Sequence, residues 1–303
     1  MKKRRHHFVW QYYLKPWAVD GRIACWRNGQ VFRTDPINVA VERDFYRLRD
    51  ISERDVATIR QMIHLFPSQL RDVHNTWLEM FTLPFELRRM LNATGQSDRA
   101  IEEALDTALA NTEEDIQTII EEEGKSLLLA LRSGDLGFFG TEDGFSRFMH
   151  FLSMQYLRTK NISTKTAGKL DPRLLDADST AGVLRHMFAA NMTSYFLPRR
   201  SEYALTLLHA CIGTQFLTSD QPAINTYVAN VPEGVEPEDL EFYYPITPAC
   251  AVIVGRDGMD GRRPERQLEA NEVEDYNRLM SCAASEQLFA ADEELLRRMA
   301  PRR

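Results

Sequence analysis

The sequence predicts an α+β protein in which strands from both ends of the chain build a mixed sheet, while helices fill the middle and close the chain. Three observations carry this expectation. Strand-forming runs flank an Asn28-Gly29 turn near the start. Between about residues 50 and 158 apolar side chains recur at helical spacing. Short β-favouring runs return after Tyr203, ahead of a last helical stretch. Helices packed on one such sheet suit a single domain over residues 1–303, with a helical subregion at about 50–158.

His7 to Leu14 is rich in aromatic residues and is closed by Lys15-Pro16, which predicts a strand or extended segment. Arg22 to Trp26 and Gln30 to Phe32 flank Asn28-Gly29, a dipeptide that tolerates the positive φ angles of a type I′ hairpin. Glu53 to Phe66 and Trp77 to Asn92 read as helices, with Pro67 and Pro84 breaking or kinking them. A long helix from Ser97 to Arg132 stops at Ser133-Gly134-Asp135. Thr141-Glu-Asp-Gly opens the next, on which Phe148, Phe151, Leu152 and Gln155 share a stripe, with Arg158 one turn further on. Thr159 to Asp178 is polar, contains Pro172, and reads as a surface loop. A helix is expected at Ala181 to Tyr195, and strands at Tyr203 to Ala210, Gln215 to Thr218 and Ala249 to Val254. Asn230 to Glu241 reads as a loop and Asn271 to Arg298 as a closing helix.

With 44% hydrophobic and 27% charged residues the chain lies outside the composition of disordered proteins. Its net charge of -7 repels a polyanion unless the cations are segregated. Lys2, Lys3, Arg4 and Arg5 are such a segregated run, while Glu113 to Asp115 and Glu121 to Glu123 read as a solvated helix face. Cys25, Cys211, Cys250 and Cys282 show no paired spacing, which argues against a zinc ribbon or a disulfide framework and for a reducing, cytoplasmic setting. No apolar run has membrane length, so no membrane partner is expected. Phosphate-binding, dinucleotide, zinc-protease and serine-hydrolase motifs are all missing.

Three constellations could carry chemistry. In the opening segment His7 and Gln11 share a strand face, while His6 points to the other; an imidazole there can ligate a metal or move a proton, or simply continue the basic tail. Ser219 and Asp220 close an apolar strand, where they either face a cleft or form an Asx-type turn before Pro222. Gln155 and Arg158 extend an apolar helix face and need partners if buried. Asp220 or Asp44 could pair with Arg158, or its fork could hold a phosphate. His64, His74, His186 and His209 are isolated and read as core or surface residues.

In chain order, His6 to Leu14, Asn38-Val-Ala with Asp44-Phe-Tyr46, Gln155 to Thr159, Phe216 to Pro222, and Tyr244 to Pro248 resemble the bacterial domain of unknown function 4238 family over nearly the full length. Trp10 and Gln221 depart from the pattern, where proline and asparagine are usual. The resemblance implies that His7, Gln11, Asp44, Tyr46, Gln155, Arg158, Ser219 and Asp220 belong together, and it names no reaction. Such a polar set suits phosphodiester hydrolysis by a nuclease-like effector acting on nucleic acid or nucleotides. In that expectation His7 and Asp220 hold a divalent metal or act as an acid–base pair, together with Gln155. Arg158, Gln11, Tyr46 and Ser219 then bind substrate. The alternative is a non-catalytic binding module in which the same residues form a structural network.

Overall fold

The computed structural model describes residues 1–95, 98–231, 235, 237, 239–256 and 264–301. Strand β1 (Arg5–His7) is short, and the chain then bends into helix α1 (Gln11–Leu14) and a 3-10 turn at Lys15–Trp17. The extended segment expected to Leu14 is thus helical in its second half. Burial decides it. Tyr13 stacks on Tyr244 at 4.9 Å and bonds Thr218 at 2.7 Å, and the indole of Trp17 donates to the Phe216 carbonyl at 2.9 Å. These core positions override the local β preference of aromatic residues.

Strands β2 (Ile23–Arg27) and β3 (Gln30–Thr34) form the expected hairpin, with Asn28 at φ 52 and Gly29 at φ 77. Strand β4 (Val41–Arg43) returns antiparallel to β1. The helical middle then runs through α2 (Glu53–His64), α3 (Ser68–Ala93), α4 (Arg99–Arg132) and α5 (Glu142–Leu157). Ser52, Asp98 and Thr141 cap α2, α4 and α5 by accepting free amide protons. Pro84 does not end α3; it lies on the buried side with Phe81 and Phe85, where packing carries the helix through it. The loop expected at Thr159 to Asp178 contains α6 (Lys160–Lys169), capped by Thr159 and leaning on the core through Ile162. Helix α7 (Ala177–Phe196) follows.

The later chain supplies β5 (Tyr203–His209), β6 (Thr218–Ser219), β7 (Ile224–Asn225), β8 (Phe242–Thr247), β9 (Cys250–Arg256) and β10 (Glu265–Gln267). Of the loop read at Asn230 to Glu241, residues 232–234, 236 and 238 lie outside the described residues. The single closing helix is divided into α8 (Ala270–Ala283), strand β11 (Gln287–Ala290) and α9 (Glu293–Met299). β11 forms because Leu288, Phe289 and Ala290 are fully buried between two other strands.

The architecture is mixed α+β, with the strands of the described residues in three sheets. The four-stranded sheet, in the order β3-β2-β11-β6, joins the N-terminal hairpin to the C-terminal strand as the sequence predicts. The five-stranded sheet, in the order β10-β5-β9-β8-β7, is mixed through its parallel β10–β5 pair and draws only on the later chain. Among the described residues no helix is long and apolar enough to cross a membrane.

Candidate functional site

The bend after β1 and the first turn of α1 bring His7 and Gln11 together. The Nε2 of His7 donates to the Ile37 carbonyl at 3.1 Å, which leaves Nδ1 as the acceptor, and the Gln11 amide nitrogen approaches both ring nitrogens, at 3.2 Å from Nδ1 and 2.9 Å from Nε2. Burial, reinforced by the positive charges of Arg5 and Arg158, holds the His7 imidazole below its ordinary range and neutral at pH 7. His6 faces inward. Its Nδ1 accepts the Tyr46 amide at 2.7 Å, and its ring stacks on that of Tyr46.

Beside His7 and Gln11 opens a cleft of about 300 Å³, walled by Trp10, Tyr12 and Lys15 and by Glu114, Glu121 and Lys125 of α4. The three α4 residues sit at i, i+7 and i+11, which places them on one stripe of the helix. The acidic run expected to be solvated is therefore partly interior: Glu113 is buried against Arg185, and Glu121 is half-buried against Arg158. Burial pushes the Glu114 carboxyl up to about 7, helped by the nearby negative charge of Glu121 and opposed by Arg158. Its Oε2 is buried and has no hydrogen-bond partner among the described residues. Lys15 has no ion-pair partner among them either.

Arg158 lies directly behind this wall, 1% exposed. Its three nitrogens donate to three separate elements: Nε to the Tyr46 hydroxyl at 3.0 Å, Nη1 to Glu121 at 2.6 Å, and Nη2 to the His7 carbonyl at 2.7 Å. Its carboxylate partner is thus Glu121, not Asp220 or Asp44; Asp44 instead pairs with Arg4 at the surface. Arg158 and Tyr46 are placed to hold the cleft's wall, since neither reaches solvent.

Ser219 and Asp220 stand elsewhere. The two carboxylate oxygens of Asp220 accept the backbone amides of Ser285, Glu286 and Gln287 at 2.8, 2.7 and 3.0 Å. Ser219 bonds the carbonyl and amide of Gln221 at 3.0 Å each. Both are buried, and neither lines the His7 cleft. Gln155 is fully buried, with neither amide atom partnered among the described residues. A divalent metal held by His7 and Asp220 does not fit this arrangement, because Asp220 does not line the His7 cleft and its two oxygens already accept three amide protons. Among the described residues no group of three or more His, Cys, Asp or Glu side chains is placed to hold a metal.

A second cleft of about 580 Å³ lies between the 42–49 segment, α6 and α7. Its cations are already compensated: Arg47 by Asp106, Arg49 by Asp178, Lys160 by Glu42 and Glu286, and Arg185 by Glu113. The guanidinium groups of Arg185 and Arg158 both approach the Tyr46 ring, at 5.4 and 5.7 Å. Of the eight residues grouped by resemblance, the structure thus gathers His7, Gln11, Tyr46 and Arg158, and adds Glu114, Glu121, Lys15 and Lys125. The added residues could have been found from the i, i+7, i+11 spacing on α4 and from the lone Lys15 that closes the first helix.

The family model described as "Protein of unknown function (DUF4238)" matches residues 5–294. The chain belongs to this family. No curated protein and no solved structure matches it. DUF4238 as a description names no reaction, so the chemistry has to be argued from the cleft.

Proposed function

We propose that the chain hydrolyses phosphate esters, with phosphodiesters of nucleic acid or nucleotides as the substrate class, at the His7 cleft. The observation that carries this reading is the meeting, in one solvent-reachable cleft, of a neutral imidazole, a carboxyl that titrates at about 7, and two lysines. A base and an acid whose pKa values lie near the working pH are what proton transfer in hydrolysis needs. In this reading Gln11 cedes the His7 Nδ1 to an attacking water, whose proton it takes as the new P–O bond forms; Glu114 gives its proton to the leaving oxygen as the old P–O bond breaks, and Lys15 and Lys125 hold the phosphate oxygens. Arg158 positions the wall without touching substrate. The four cysteines are free thiols, which suits the cytoplasmic setting this reading assumes.

The test is cleavage of labelled RNA, DNA and small nucleotides by purified protein, in Mg²⁺, in Mn²⁺ and in chelator. Cleavage that survives chelator and is abolished in His7→Ala and Glu114→Gln proteins of unchanged melting temperature supports the proposal. Absence of such cleavage on every substrate overturns it. A second reading, a binding module without catalysis, draws on the sealed state of Gln155, Arg158, Ser219 and Asp220. It requires the His7 cleft to bind a nucleotide that it leaves intact.

A further inference from the structure

Helix α3 buries one side, through His74, Leu78, Phe81, Thr82, Pro84 and Phe85. A second apolar stripe runs along its outer side. Val73, Met80, Leu83, Leu87 and Met90 are exposed by 41, 38, 52, 42 and 65%. They fall at the alternating three- and four-residue steps of a coiled-coil seam, broken only by Thr76. An ordinary surface helix has one apolar stripe, facing its own core. A second, with heptad period and over about 26 Å of helix at ~1.5 Å per residue, is the surface a partner helix packs on.

The edge of the seam says what kind of partner. Asp72, Glu79 and Glu86 precede seam positions at intervals of seven, all are exposed, and none forms an ion pair among the described residues. The arginines of the same helix are engaged elsewhere: Arg71 with the Phe66 carbonyl, Arg88 with Glu102 and Arg89 with Asp50. A second copy of the chain docked antiparallel would set this acidic row against itself, which is repulsive, and docked parallel it would set the row against Trp77, Pro84 and Leu91, which offer no cation. An anionic membrane surface would be repelled too.

We infer that the outer face of α3 docks an amphipathic helix of a protein partner, about three heptads long, with an apolar seam flanked by lysine or arginine. This interaction is independent of the His7 cleft.

The experiment uses the full chain and two synthetic helical peptides, both with leucine along the seam, one with lysine at the flanking positions and its twin with glutamate. Fluorescence anisotropy should show the lysine peptide binding roughly tenfold more tightly than its twin, the effect of three exposed ion pairs. Leu83→Asp with Leu87→Asp should abolish that binding without moving the melting temperature, and Glu79→Lys with Glu86→Lys should reverse the preference. No saturable binding of the lysine peptide, or equal binding of both peptides, overturns the inference. So does a chain that sediments as a dimer and that Leu87→Asp converts to a monomer, since a second copy then covers the seam.

Discussion

The Nη2 of Arg158 donates to the carbonyl oxygen of His7 at 2.7 Å, tying helix α5 to the segment that presents the cleft's imidazole. With Tyr46 and Glu121 on the remaining nitrogens, one buried guanidinium joins the opening strand, the segment after β4, α4 and α5. Lysine offers a single compact ammonium and cannot reach all three acceptors. Arg158→Ala removes a buried guanidinium and leaves Glu121, half-buried, without its partner, and should cost about 3 kcal/mol in urea unfolding. Arg158→Lys should fall between that variant and the native chain.

The pH response follows from Glu114. Its carboxyl is raised from 4.5 to about 7, so between those values the folded chain holds a proton that the unfolded chain has released. Stability from this group is full below pH 4.5 and declines as pH rises through about 7. Glu114→Gln should remove that decline, read as a flatter plot of melting temperature against pH. Hydrolysis, if driven by the proposed pair, should fall on the acid side as His7 protonates below its ordinary 6.5, and on the alkaline side as Glu114 ionises at about 7.

Asp220 predicts the opposite profile, stability without catalysis. Burial pushes its carboxyl up to about 6, against three amide donors that favour the charged form. Removing it orphans the amides of residues 285–287, each worth about 1–3 kcal/mol when left unpaired, at the point where the chain turns into β11. Asp220→Ala should therefore lower the melting temperature by about 6 °C or more. Any hydrolysis at the proposed His7 cleft should persist below that temperature.

Gly124 of α4 faces Phe151 of α5 at close quarters. A Cβ there would run into the ring of Phe151, which is itself held edge-on by Trp10 and Tyr244. Alanine would gain about 1 kcal/mol of helix propensity, and overpacking would cost about 1–3 kcal/mol. Gly124→Ala should be net destabilising in urea unfolding, and Phe151→Leu in the same chain should recover part of the loss.

Where the determinants are local, the sequence and the structure agree. Asn28-Gly29 makes its turn because both residues accept positive φ, and the helices begin at Ser52, Asp98 and Thr141 because their side chains satisfy free amides. The disagreements are non-local. Tyr13 and Trp17 are helical because Tyr244, Thr218 and Phe216 receive them from more than 190 positions away. Gln287 to Ala290 look helical in isolation and become a strand between β2 and β6. Half of the cleft was legible in His7 and Gln11; its other wall lay in an acidic run that is ordinary in any surface helix. Only the packing of α4 against Arg158 and Arg185 reveals which of those carboxylates are interior.

The position of β11 has a consequence for how the molecule is made. On a ribosome the Asn28-Gly29 hairpin emerges early, yet the neighbour that pairs with β2 is Gln287 to Ala290. For most of synthesis the newborn hairpin carries an unsatisfied edge, open to any extended segment nearby. Arrest of translation short of that strand should leave a nascent chain that chaperones retain, and extension through β11 should release it.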